Sequence, residues 1–265
     1  MIIILMIIIL IIFCILFLIF LSQMKRNLFW QKPKHFKKTD NFFDLKYSQN
    51  IKENLIIYVL NLKSRPDRKI RMIKHLQHHK IDADFIEAVN GKTLDKKQLL
   101  LNLKIDLKSY DKLRMGEIGC YLSHLNIWIN FQKQKEKYCL ILEDDVILSP
   151  NFLNILIRLL NEIQNQNWDL IYLMENCVRY FKQCNEGPNL NKNFFYPKAL
   201  GYGTYGYVLN KKGCKILIDN ALPIREQVDV YINGLNFNGK IKALRIKNPI
   251  IHVRNIQDSN VDVSD

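Results

Sequence analysis

From Met1 to Leu21 every position is apolar, Cys14 being the most polar residue of the run. A helix of about 20 such residues rises about 30 Å, enough to cross the hydrocarbon core of a bilayer. Residues 1–21 are therefore expected to form a single transmembrane anchor. A cleaved signal peptide is the competing reading, but it carries a basic start, a shorter apolar core and a small-residue cleavage site, none of which stands out here. Ser22 to Glu53 turns polar and Lys-rich without sustained periodicity, so residues 22–53 read as a stem that either lies along anionic headgroups or is a solvated linker.

Residues 54–265 read as one α/β domain, because short apolar runs now alternate with helical spacing. Ile56 to Leu60 has the near-continuous apolar character of a strand buried on both faces. A helix follows from Asp67 to about His79, with Ile70, Ile73 and Leu76 at helical intervals. A second strand is expected over Asp84 to Val89. Next comes a helix over Glu117 to Phe131, with Ile118, Tyr121, Leu122, Leu125 and Trp128 on one face. Tyr138 to Leu142 is the next strand, and Pro150 to about Gln164 the next helix. Trp168 to Leu173 and Tyr205 to Leu209 are strands, Lys211 to Asn220 and Gln227 to Leu235 helices, and Ile241 to Ile246 a final strand. Between them Asn176 to Lys198 reads as a long irregular loop around Gly187 and Pro188.

The net charge of +14 suggests nucleic acid at first. The Lys and Arg residues are scattered rather than gathered in a stripe, so an anionic nucleotide or a membrane surface accounts for it as well and no nucleic-acid partner is expected. The five cysteines outside the apolar run contain no C-x-x-C pair, which argues against a zinc module or a complete disulfide framework. Cys120 and Cys139 fall in apolar elements as core residues. Cys177 and Cys184 flank a polar loop and could pair in an oxidising compartment.

Two segments carry chemistry. The strand Leu140-Ile141-Leu142 delivers Glu143, Asp144 and Asp145 to its carboxyl end, the edge at which open α/β sheets bind ligands. Clustered carboxylates repel one another unless a cation sits among them, and hard oxygen ligands suit Mn²⁺ or Mg²⁺ holding a diphosphate. A solvated acidic turn is the plain alternative. The second segment, Asn61 to Arg68, is a loop entering a helix N-terminus, where Arg65 and Arg68 favour an anionic group. Alternatively Asp67 caps the helix and the arginines face water.

These two segments, together with Gly116-Glu117-Ile118-Gly119-Cys120-Tyr121-Leu122-Ser123-His124 between them and Thr204 to Asn210 with Lys212-Gly213 beyond them, resemble glycosyltransferase family 25. That family includes lipooligosaccharide and procollagen galactosyltransferases, and the likeness runs from about Leu55 to Asp262. The resemblance implies a GT-A type nucleotide-diphospho-sugar transferase fold, with a mixed, mainly parallel sheet flanked by helices behind the anchor. It implies an enzyme that transfers a hexose from a UDP-sugar donor to a hydroxyl of a glycan or protein, with inversion. Asp145 would be the direct metal ligand, and Glu143 or Asp144 would meet ribose or metal-bound water. Asn61, Arg65, Asp67 and Arg68 would border the nucleotide.

Asp229 stands where the family has a Pro-Val-Asp-like segment, with three residues inserted after Pro223, and is the expected base or acceptor-site residue; Glu226 is the second candidate. His252, after Pro249, lies where many such enzymes supply a further metal ligand. His124 reads as a buried hydrogen-bonded residue, and His75, His78 and His79 as solvated. A catalytically inactive binding protein of the same fold and a metal-dependent phosphodiesterase are the alternative functions. The basic residues after the apolar run favour a cytosolic domain by the positive-inside rule, as does the absence of Asn-x-Ser/Thr sequons. A secretory-pathway transferase would have the opposite sidedness.

Overall fold

Alternate residues of each apolar run face opposite sides of one eight-stranded sheet, and helices cover both faces. The computed structural model describes residues 45–102, 104–174, 186–198 and 203–253. The expected anchor, most of the stem, and Cys177 and Cys184 lie outside the described residues. Among the described residues no helix is long and apolar enough to cross a membrane.

In chain order the elements are α1 (Leu45–Glu53), β1 (Leu55–Asn61), α2 (Pro66–His78), β2 (Asp84–Glu87), α3 (Lys96–Leu101), α4 (Met115–Lys133), β3 (Tyr138–Glu143), β4 (Val146–Leu148) and α5 (Phe152–Glu162). There follow β5 (Leu170–Tyr172), β6 (Glu186–Asn189), β7 (Phe194–Pro197), β8 (Gly206–Asn210), α6 (Lys211–Asp219), α7 (Val228–Phe237), β9 (Ala243–Ile246) and β10 (Ile251–Val253). The sheet order is β2-β1-β3-β8-β5-β9-β7-β6, and β4 pairs separately with β10. β2, β1 and β3 are parallel, as are β5 and β9, while β8 runs antiparallel between β3 and β5. β7 and β6 continue the sheet as an antiparallel pair beside β9. Only β8 and β7 oppose the common direction, so the sheet is mixed but mainly parallel, as expected.

One core packs α4, α6 and α7 against Tyr58, Leu60, Ile141, Tyr207 and Leu209. The other packs α2 and α5 against Ile57, Val59, Leu140, Leu142 and Val208. Burial on both faces explains why these strands carry almost no polar positions.

Several elements differ from the sequence reading, in which α3, β4 and β10 have no counterpart. The stem range contains α1, whose Ile51 is buried in the second core. The expected irregular loop contains the β6 and β7 strands, with Phe194 and Phe195 buried at the sheet's far side. Their turn is held by Asn191, whose Oδ1 accepts the backbone N–H groups of Asn193 and Phe194. In α2 the buried stripe is Arg68, Met72 and Leu76, whereas Ile70 is more than half exposed.

Candidate functional site

The parallel strands β1 and β3 end side by side, Leu60 opposite Glu143, and this brings the Asn61 segment against the acidic triplet. Asp144 and Asp145 are buried and do not form a solvated turn. The Asn61 amide donates to Asp144 at 2.6 Å and also to the Arg65 carbonyl. Arg68, 3% exposed, places its Nη1 3.0 Å from Asp144 and 3.3 Å from Asp145. A buried guanidinium bridging two carboxylates offsets much of their repulsion.

Glu143 lies on the other side of the strand end. Its Oε1 accepts the Thr204 hydroxyl at 2.8 Å. His124 Nε2 approaches the same oxygen to 3.9 Å. Burial, then the charges of Asp145, Asp144 and Asp229, push the Glu143 carboxyl up to about 8, although its hydrogen bond from Thr204 works the other way. A quarter of this side chain still reaches solvent, so it stays accessible at the strand end while packed against protein. Asp229, in the first turn of α7, accepts backbone N–H groups from Gly203 at 2.7 Å and Val230 at 2.9 Å. Gly203 has a φ of +84° and a Cβ there would collide with the Tyr205 ring, so glycine is required where this N–H turns toward Asp229.

Other expected residues are placed differently. Arg65 and Asp67 form an exposed bidentate pair at 3.0 Å, which holds the Asp67 carboxyl down at about 2, and Asp67 makes no helix cap. Glu226 lines a separate recess of about 180 Å³ with Tyr121, Arg225, Tyr231 and Lys240, a recess that Asp229 does not line. Burial raises its carboxyl pKa. His252 stands on β10 opposite Ile147, with Nε2 3.4 Å from Ser149 Oγ. His75 is not merely solvated, since its Nε2 accepts the Leu148 N–H at 2.8 Å.

Among the described residues no three His, Cys, Asp or Glu side chains are gathered as a metal-holding group. The expected set of Glu143, Asp145 and His252 is thus not assembled in this structure. The donor chemistry at the strand end nevertheless suits a hard divalent cation. Glu143, Asp144, Asp145 and Asp229 act on one another electrostatically, and Mg²⁺-like ions take only one or two protein carboxylates, the rest of their shell being water and phosphate oxygen.

The segment Gly116 to His124, on α4, acts largely through structure. Glu117 accepts the Arg114 backbone N–H at 2.8 Å and pairs with its guanidinium, so one carboxylate satisfies an otherwise open donor at the helix start. A Cβ on Gly119 would come within 2.8 Å of Val89 O and Gly91 N, so the helix rests on backbone there. The Ser123 hydroxyl accepts the Val89 N–H and donates to Gly119 O. His124 is wholly buried, which drops its pKa to about 3. Sequence reading missed Thr204, Tyr207 and Tyr172. Tyr172, at the end of β5, is buried, its hydroxyl has no hydrogen-bond partner among the described residues, and charges on Asp229 and Glu143 reach it. Each lies far along the chain from the acids, and the sequence marked Thr204 and Tyr207 only as part of the family-like segment Thr204 to Asn210.

The fold and this strand edge define a mixed α/β protein with an acidic, cation-suited edge at the carboxyl ends of its parallel strands β1 and β3. The family model described as Glycosyltransferase family 25 (LPS biosynthesis protein) matches residues 54–232, and the chain belongs to that family. The match ends before β9 and His252. The chain is 34% identical over 182 residues to a "Glycosyltransferase 25 family member" of Drosophila melanogaster, covering 64% of this chain and 29% of that protein. It is 32% identical over 190 residues to "Procollagen galactosyltransferase 2" of Homo sapiens, with coverage of 67% and 30%. Against "Inactive glycosyltransferase 25 family member 3" of Mus musculus it is 37% identical over 126 residues, with coverage of 44% and 21%. The chain therefore spans about 30% of the length of the first two relatives.

Proposed function

We propose that this chain is a glycosyltransferase of GT-A type, moving a hexose, galactose or glucose, from a UDP-sugar to a hydroxyl of a glycan, lipooligosaccharide or hydroxylysine-containing protein, with inversion. The observation that carries the reading is the convergence of Glu143, Asp144, Asp145 and Asp229 at one sheet edge, faced by Arg68 and Asn61, in a family 25 chain. The name of the human relative, a procollagen galactosyltransferase, favours galactose.

Asn61 and Arg68 hold Asp144 in place, Asp144 would meet the ribose of the donor, and Arg65, just before α2, would border the nucleotide. Glu143 and Asp145 would hold a Mn²⁺ or Mg²⁺ ion, which when bound supplies positive charge for the departing diphosphate. Asp229 takes the proton of the attacking hydroxyl, its orientation set by the two backbone N–H groups that it accepts. Glu226, beside it in sequence, serves the acceptor side. Residues 1–21 anchor the domain to a membrane.

The test uses the full chain in detergent, UDP-galactose and UDP-glucose, and Mn²⁺, with sugar release and transfer measured. Asp145→Ala is expected to lower turnover per folded molecule by about 100-fold, Arg68 keeping Asp144 as its partner; wild-type turnover in that variant removes the metal assignment. A second reading, donor binding without transfer, is favoured by the occupation of Asp144 and Asp145 by Arg68 and by the mouse relative's name. Calorimetric binding of UDP-galactose with no release of sugar would establish it.

A further inference from the structure

Behind Glu143 lies a buried line of polar atoms that the proposed reaction does not use. Trp128 Nε1 is 3.0 Å from the Tyr207 hydroxyl, and that hydroxyl is 2.8 Å from His124 Nδ1. His124 Nε2, wholly buried and without a hydrogen-bond partner among the described residues, faces Glu143 Oε1 at 3.9 Å. We propose that His124 is a positioning residue whose Nε2–H orients the Glu143 carboxylate, and that Tyr207 and Trp128 fix which imidazole nitrogen carries the proton. The inference rests on the reading of Glu143 as an active-site group.

Counting hydrogens gives the direction. An indole N–H only donates, so the Tyr207 oxygen accepts from Trp128. The hydrogen of Tyr207 then points to its other partner, His124 Nδ1, which must be bare to accept it. A neutral imidazole with a bare Nδ1 carries its proton on Nε2, the nitrogen aimed at the carboxylate. In the reverse arrangement the Tyr207 oxygen would accept two hydrogens, with no acceptor for its own among its described partners. A bare Nε2 would also face the Glu143 oxygen. At 3.9 Å the last link is too long to be a hydrogen bond. Closing it by about 1 Å brings it to an ordinary N–H···O distance, and Thr204, already bonded to Oε1, limits the directions in which that oxygen can move. This mirrors the way hydrogen bonds behind a ligating group fix its orientation.

The experiment takes the full chain, labelled with ¹⁵N-histidine, in detergent micelles. Long-range ¹H–¹⁵N correlation reads the tautomer, the His124 signals being those lost in His124→Gln. The wild type is expected to hold the Nε2–H tautomer, and Tyr207→Phe to let the Nδ1–H form grow. An Nδ1–H tautomer in the wild type, or no change in Tyr207→Phe, overturns the proposal. In the transfer assay Tyr207→Phe is expected to lower kcat about tenfold with the donor KM within about twofold. His124→Leu should fall at least as far and His124→Gln, which keeps an N–H donor, should recover part of the loss. A purely structural role would lower the melting temperature and leave kcat per folded molecule intact, which also sinks the idea. Absence of transfer by the wild type defeats the glycosyltransferase reading alone, since the tautomer measurement still decides the relay.

Discussion

Arg68 balances the acidic edge because it is the buried guanidinium that meets both Asp144 and Asp145. Removing one partner of a buried ion pair leaves the other charge without compensation, at a cost of about 3–5 kcal/mol. Arg68→Leu is therefore expected to lose about 3 kcal/mol in urea unfolding, with Mn²⁺ restoring part of the loss; an unchanged midpoint would contradict the pairing. The sequence offered Arg65 and Arg68 as equals, three residues apart at one loop. They differ because Arg68 shares a helical stripe with Met72 and Leu76, all three buried, while Arg65 precedes the helix and turns to Asp67. That stripe was present in the spacing, but Ile70 and Ile73 carried the stronger apolar signal and drew the predicted face around the helix.

At the scale of elements, α4 carries the most specific motif in the chain, and its glycines work by permitting contact. Gly119 lies against the backbone at Val89 and Gly91, and a Cβ on Gly91 would in turn strike Met115 O. Gly119→Ala has to push backbone apart, which typically costs about 1–3 kcal/mol. It is expected to lower the melting temperature and to reduce turnover together, because the same helix carries Cys120 and His124 toward Thr204 and Glu143. A melting curve coincident with wild type would show that the contact yields freely. The elements with long apolar runs were legible, β1, β3 and α4 among them, because burial on two sides leaves no polar position to confuse the period. The pair β6 and β7 was not, since Gly187, Pro188 and Asn191 spell a turn-rich segment and an edge strand tolerates proline. Nor was α1, which is short and joined to the core through Ile51.

For the molecule as a whole, the raised carboxyl of Glu143 sets a dependence on pH. Its value in the folded protein is about 8 against an ordinary 4.5, so between these values the folded state binds more protons than the unfolded chain. The contribution of Glu143 to the stability of the metal-free protein then falls as pH rises through that window. Buried His124, at about 3 against an ordinary 6.5, adds stability as pH rises to 6.5, so the net fall is expected above about 6.5. A bound cation favours the ionised carboxylate, so the thermal shift produced by Mn²⁺ is expected to be larger at pH 8 than at pH 5. Scanning calorimetry across that range checks both, and a metal-free protein that gains stability from about pH 6.5 to 8 would exclude the raised carboxyl.

The sequence by itself determined the α/β alternation, the acidic strand end and its family, because those signals are local: apolar period, turn residues, and a motif of adjacent letters. Only the tertiary structure decided that β8 runs antiparallel between β3 and β5, that Arg68 rather than Arg65 meets the acids, and that Thr204 bonds Glu143 while Tyr207 stands behind His124. The reason is distance along the chain. Strand direction and the meeting of residues 61 to 83 positions apart are set by how layers pack, and no short window of sequence holds that information.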